Sequence, residues 1–292
     1  MDLTEALNSN NTLAAVDAAM ELEQDNNPRP YLGASIMGDP CPRKLFYGFR
    51  WYAKPTFLAK TLRAFDDGHR TEDLMAERLR LVLGSQLETH DPVTGKQFGF
   101  AACDGHVRGH CDGLVRGGLK EAPQTPHVWE HKAVNPKKFA KLEKLISLHG
   151  EKAALVEWDE IYHGQAQAYM LAFNMTRHYL TVTTPGGRDH ISVRTELNKK
   201  FAESLMKRAQ GIIASDKPPP RMNEDPTFYL CKWCDYQQHC HYDAAPEITC
   251  RSCSHSFAAE NGKWFCEQKE EYLDRIAQEM ACHDHDVISR AD

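Results

Sequence analysis

The stretch "HVWEHKAV", residues 127–134, places a carboxylate and an ammonium two residues apart in an otherwise apolar run. In a strand, side chains alternate between faces, so Glu130 and Lys132 stand side by side and His131 points the other way. Asp112, in "RGHCDGLV", lies one predicted strand earlier, with enough chain between for a turn and a return. If the two strands are neighbours, Asp112, Glu130 and Lys132 converge. Paired carboxylates suit a hard divalent cation, Mg²⁺ or Mn²⁺, which prefers oxygen ligands. A lysine beside them can orient an attacking water or offset charge on a phosphate. That is the equipment of metal-assisted phosphodiester hydrolysis. The alternative is three unrelated surface charges.

A second chemistry lies in the ten cysteines. The start, "MDLTEALNSN", has no basic and apolar signal-peptide pattern, and no run of 18 apolar residues exists, so a membrane span is not expected. The expected compartment is a reducing cytoplasm, where clustered cysteines hold metal more often than they pair as disulfides. "LCKWCDYQQHC" gives Cys231-x2-Cys234-x5-Cys240, one thiolate short of a tetrahedral set. Cys41, in "GDPCPRKLFYGFR", is the natural fourth, with His239 or His241 as substitutes. "CRSCSHSFAAENGKWFC" gives Cys250-x2-Cys253-x12-Cys266, the spacing of a zinc ribbon or knuckle. Cys282 is the preferred fourth ligand there, and His255, His283 and His285 are its rivals. Cys103 and Cys111 sit alone in strand-like stretches and read as packed thiols.

The elements that must position these residues read as follows. The 292 residues divide into a polar helical arm over 1–30, loosely attached, a main domain over 31–245, and a small zinc-binding tail over 246–292. Ser35 is placed to cap a short helix running toward Cys41. Residues 57–83 have helical periodicity, interrupted by Gly68, which suggests a bend or a close approach. Gly-, Asp- and Pro-broken strands follow. Pro136 opens a helix that Gly150 ends. A helix over 160–174, a strand pair at 178–187 and 190–197, and a helix over 197–214 complete the pattern. The expected class is α/β (α+β), a central mixed sheet flanked by helices. The net charge of −6 argues against a general nucleic-acid coat but leaves room for a local basic groove. Arg43, Lys44, Arg50 and the stripe Lys137, Lys138, Lys141 and Lys144 are candidates for it. Trp233, Tyr236 and Trp264 are candidates to stack on bases.

Taken together, Asp112 and Glu130-His131-Lys132 resemble the signature of PD-(D/E)XK nucleases. "DDGHRTEDLMAERL", with Gly68 followed four residues later by Glu72, and "YHGQAQAYM", with Gln165 and Tyr169 as a Gln-x-x-x-Tyr pair, resemble the RecB-type and lambda-exonuclease-like branches. The likeness covers roughly residues 31–240. One early and three late cysteines resemble the iron–sulfur staple of AddB-type nucleases and of CRISPR-adaptation exonucleases. The resemblance implies a restriction-endonuclease-like core. It implies metal contacts from Glu72, Asp112, Glu130 and the backbone carbonyl of His131, with Lys132, Gln165 and Tyr169 completing the catalytic set. It also implies a [4Fe–4S] cluster on Cys41, Cys231, Cys234 and Cys240, with zinc as the alternative. The function implied is a metal-dependent DNA exonuclease acting on ends or single strands in recombination, repair or replication. The compact layout suits a phage or mobile element, and so a bacterial host cytoplasm. No Walker-type motif is present, so a helicase or recombinase partner would be a separate chain. A structure-specific endonuclease and a non-catalytic end-binding scaffold are the alternatives; the intact Asp, Glu and Lys favour an enzyme.

Overall fold

The structure, a computed structural model, describes residues 11–288; the first part of the expected N-terminal arm lies outside them. The chain begins with α1 (Thr12–Glu23), β1 (Leu32–Gly33), α2 (Pro42–Phe49) and α3 (Ala59–Leu83). Then come β2 (Leu87–Glu88), β3 (Gly99–Ala102), β4 (Val107–His110), β5 (Gly113–Val115) and β6 (His127–Ala133). Helices α4 (Pro136–His149), α5 (Glu151–Trp158) and α6 (Glu160–Ala172) lead to β7 (Arg177–Thr183), β8 (His190–Glu196) and α7 (Lys199–Ile213). The remainder holds α8 (Gln237–His241), β9 (Ser256–Ala258), β10 (Trp264–Cys266), β11 (Glu271–Leu273) and α9 (Arg275–Glu279).

Five strands form the central sheet in the order β2-β5-β6-β7-β8. Only β6 and β7 run parallel. A parallel pair needs a crossover, and α4, α5 and α6 supply it. The helix boundaries follow local chemistry. The Asn135 side chain caps α4 ahead of Pro136, and Gly150, at φ 78°, ends it. Asp159 caps α6 by accepting the Tyr162 N–H at 2.8 Å.

Strand alternation sends β6 to both sides of the sheet. Trp129 joins Met75, Ala76 and Leu83 of α3 with Val115 and Tyr179. Val128, with Leu180 and Val182, packs among Ala166, Met170 and Leu205 of α6 and α7. The result is a mixed sheet covered by helices on both faces, the architecture expected from the sequence. Among the described residues no helix is long and apolar enough to cross a membrane.

Several local expectations change. Ser35 does not cap a helix; residues 34–36 form one 3-10 turn, and the Cys41 sulfur caps α2, accepting the Lys44 N–H at 3.4 Å. Gly68 marks neither a bend nor a close approach: α3 runs through it, and a Cβ there would meet nothing within 4 Å. The described part of the arm is docked rather than loose. Glu21 accepts the Ala59 N–H at the start of α3 at 2.8 Å, Gln24 accepts the Phe57 N–H at 2.7 Å, and Arg63 pairs with Asp17.

The cysteine-rich end packs into the same core as the rest. Trp264, Cys266, Leu273 and Ile288 join Phe46, Phe49 and Val107. Two buried arginines make this junction, with no carboxylate paired to either among the described residues. The Arg251 guanidinium lies 3.8 Å from the Trp264 ring centre and 4.4 Å from that of Trp51, and it donates to the carbonyls of Pro30 and Phe49. Arg50 donates to the Ser256 carbonyl at 2.8 Å and lies over Trp264. Ring faces and carbonyl dipoles thus replace a counter-ion. Trp264 is wholly buried here, so it cannot stack on bases. Trp264→Ala should cost about 3–5 kcal/mol of unfolding free energy in a denaturant titration; a loss below about 1 kcal/mol would show that residues 250–288 do not share the core.

Candidate active site

Gly113 of β5 stands opposite Trp129 of β6, which brings Asp112 level with Glu130. Asp112 Oδ2 accepts the His131 N–H at 2.7 Å. Lys132 Nζ donates to Glu130 Oε2 at 2.8 Å, the same-face pairing that strand alternation dictates. From α6, Gln165 Nε2 donates to the same oxygen at 3.2 Å and to Tyr169 Oη at 3.3 Å. Tyr169 Oη in turn donates to the His110 carbonyl at 2.6 Å. This relay needs a close approach at Gly109, where a Cβ would stand 2.7 Å from the Tyr169 ring.

The site holds more negative than positive charge. Burial, then the Asp112 charge, pushes the Glu130 carboxyl up to about 8, against the pull of Lys132. Burial and Asp112 likewise push Glu72, on α3, up to about 7. Burial raises Asp112 as well, while Lys132, the His131 N–H and His69 oppose the shift. Burial disfavours the Lys132 charge, but Glu130 and Asp112 outweigh it and hold the ammonium above its ordinary value.

One acceptor is left over. Glu130 Oε1 is buried and has no hydrogen-bond partner among the described residues, an arrangement that costs about 1–3 kcal/mol. A divalent cation between Glu130 and Asp112 would give that oxygen a partner and quench the repulsion. The all-oxygen donor set fits Mg²⁺ or Mn²⁺. Glu72 acts on this pair through its charge. As they stand, no three His, Cys, Asp or Glu side chains among the described residues are arranged to hold an ion, so a third protein ligand requires movement.

The remaining sequence candidates separate. The His131 ring is on the opposite face, 3.1 Å from Thr181 Oγ1 and 3.2 Å from Thr183 Oγ1; its backbone N–H serves the site by holding Asp112. Gln165 and Tyr169 are buried and brace Glu130 rather than facing an open groove. His163 stacks on Phe201 and bonds Gln167, away from the carboxylates. Half of the lysine stripe is engaged locally: Lys138 pairs with Asp159 at 2.6 Å, and Lys141 donates to the Trp158 carbonyl. Arg43 and Arg50 are buried. Tyr236 is largely buried beside Gly48, whereas Trp233 is 81% exposed, with Lys232 over its ring.

A cleft of about 600 Å³ opens beside the carboxylates, lined by Glu72, Asp112 and Trp129 and by Arg80, Thr89 and His90. Arg80 donates to Thr89 Oγ1 at 2.7 Å. Arg80 was not a sequence candidate. Its signal was there: positions 72, 76 and 80 follow one another at helical spacing on α3.

The members of each cysteine set line one space, without being arranged to hold an ion among the described residues. Cys41, Cys231, Cys234 and Cys240 line one small space at the start of α2, together with His241; His239 does not line it and lies near the Ala244 carbonyl. Cys250, Cys253, Cys266 and Cys282 line a second space. All ten cysteines are free. Four thiols from both ends of the main domain make a donor set that suits a soft metal or a cluster.

No protein-family model and no curated protein matches the sequence. Among solved structures, the chain is similar to SSO0001, at 15% identity and a TM-score of 0.41, over 82% of this chain and 93% of that one. It is also similar to an alkaline exonuclease, LHK-Exo, from Laribacter hongkongensis, at 15% identity and a TM-score of 0.38, over 64% of this chain and 88% of that one. For LHK-Exo in complex with dAMP the values are 14% and 0.37, over 63% and 87%. None of these likenesses assigns a role to a residue of this chain.

If Glu130 Oε1 is a metal ligand, Mg²⁺ or Mn²⁺ should raise the thermal unfolding midpoint of the wild-type chain. Glu130→Gln and Asp112→Asn should abolish the rise. An equal rise in the variants would place the ion elsewhere.

Proposed function

We propose that the chain is a metal-dependent DNA nuclease that removes nucleotides from DNA ends or single strands. The observation that carries this reading is the unpartnered Glu130 Oε1 beside Asp112, with Lys132 held on the other Glu130 oxygen. When bound, Mg²⁺ or Mn²⁺ supplies Lewis acidity at a phosphoryl oxygen and a more acidic water. The protein's own residues do the rest. Asp112 and Glu130 offer carboxylate oxygens on one face, and the His131 N–H fixes the first of them. Lys132, charged and tethered, can donate to the attacking water or to a phosphate oxygen. Gln165, fixed by Tyr169, keeps the Glu130 carboxylate from rotating, so both are positioning residues. The cleft beside Asp112 gives a strand room to enter. The motif likeness to the RecB-type and lambda-exonuclease-like branches supports ends as the substrate. Unwinding of duplex DNA would fall to a separate chain.

The same reading includes a [4Fe–4S] cluster on Cys41, Cys231, Cys234 and Cys240, with zinc as the alternative. Such a clip ties the start of the domain to its end and removes the freedom of a very long loop. It sits near the site: Gly38, three residues before Cys41, packs against Gly164, where a Cβ would lie 2.4 Å from the Gly38 Cα, next to Gln165.

With Mg²⁺, the protein should shorten end-labelled linear DNA and leave closed circles intact. Asp112→Asn, Glu130→Gln and Lys132→Ala should each slow cleavage about 10²-fold or more with the fold retained. A Glu130→Gln variant as fast as wild type would sink the assignment, and cut circles would favour the endonuclease.

Protein purified without oxygen should be brown and contain iron, and Cys231→Ser should lose both the iron and much of the folded protein. Colourless protein with zinc bound by these cysteines would replace the cluster but keep the clip.

A further inference from the structure

The nuclease reading leaves four thiols unused. Cys250 opens a 3-10 turn capped by Thr249, and Cys253 follows it. Cys266 ends β10, the middle strand of the small antiparallel sheet, opposite Ser256 of β9 and Glu271 of β11. Helix α9 then returns the chain, and Cys282 arrives beside the first pair. The last described residues are fastened there: the Ser254 N–H donates to the Asp286 carbonyl at 2.7 Å, and the Ile288 N–H to the Ser252 carbonyl at 3.1 Å. Three segments far apart in the tail thus place Cys250, Cys253, Cys266 and Cys282 around one cavity of about 190 Å³, and none is in a disulfide.

The rival histidines are less well placed. His283 is exposed, does not line the cavity, and pairs with Asp284 at 3.1 Å. His285 Nε2 lies 3.2 Å from Ser252 Oγ. His255 and His285 both line the cavity and are the remaining competitors.

We propose that Cys250, Cys253, Cys266 and Cys282 bind one Zn²⁺ ion in a tetrahedral, all-thiolate structural site. Four soft ligands with no open position suit zinc and a structural role. As they stand the thiols surround the space without being arranged to hold an ion, so binding draws them inward. Cys253 and Cys266 are buried and fixed, while Cys250 and Cys282 are half-exposed and are the ones that close. The ion has a definite mechanical effect. Arg251 follows Cys250, and Trp264 lies two residues before Cys266. Zinc therefore secures both halves of the Arg251–Trp264 stack that grips Phe49 and Trp51 at the end of α2.

The test uses the full chain and metal analysis. Cys250→Ser and Cys282→Ser should each lose one zinc per chain, whereas His255→Ala and His285→Ala should keep it. Both cysteine variants must keep the metal of the Cys41 set, which separates the two sites. If the cysteine variants do not fold, Co²⁺ is added to zinc-stripped wild-type and His255→Ala chains; both should develop the absorption of tetrahedral four-thiolate cobalt. Unchanged zinc in Cys250→Ser and Cys282→Ser, or no such absorption in the wild type, overturns the site. Loss of zinc in His255→Ala but not in Cys282→Ser reassigns the fourth ligand and overturns the all-thiolate form.

Discussion

A 2.7 Å hydrogen bond from the His131 N–H to Asp112 Oδ2 joins the start of β5 to the middle of β6. It sets two carboxylates side by side on neighbouring inner strands of a buried sheet, where their repulsion is hardly screened. Everything around them answers that repulsion. Lys132 is drawn to Glu130, and Gln165 comes from α6 to share the same oxygen. Tyr169 steadies Gln165, and Gly109 stays bare so that the Tyr169 ring can approach. The arrangement still leaves one Glu130 oxygen without a partner. A fold selected only for stability would have paired or removed it.

Helix α2 joins the parts of the molecule outside this site. Its first residues follow Cys41, whose sulfur caps it. Its last, Phe49, and the following Arg50 and Trp51 are held by Arg251 and Trp264. An eight-residue helix is too short to be stable alone. Here it is held at both ends by segments more than 180 residues away in sequence, each beside a cysteine set. Core packing, two buried guanidiniums and the proposed metals therefore act on one short element. Damage at either end is expected to be felt at the other.

Much of the site was legible in the sequence because its signals are local. Glu130 and Lys132 lie two apart on a strand, and Gln165 and Tyr169 four apart on a helix; each spacing fixes a shared face. Asn135–Pro136 and Gly150 bounded α4 correctly for the same reason. What escaped was long-range. Nothing near Lys138 says that Asp159 will claim it, and nothing near Trp264 says that Arg251 will bury it. Helix α5 was missed because a run after Gly150 with weak periodicity reads as a connector. The Gly68 expectation failed because glycine permits a bend without requiring one. Alternation placed the His131 ring on the face away from Glu130 and Lys132, where it meets Thr181 and Thr183; what escaped is that its backbone N–H reaches Asp112.

The central claim is that the spare Glu130 oxygen is a metal ligand. Anomalous diffraction from crystals of the full chain soaked in Mn²⁺ tests it most directly. The account predicts a manganese peak between Asp112 and Glu130, within bonding distance of Glu130 Oε1, with Lys132 still on Oε2. Ordered carboxylates with no peak between them, or a peak bound only elsewhere on the chain, would contradict it.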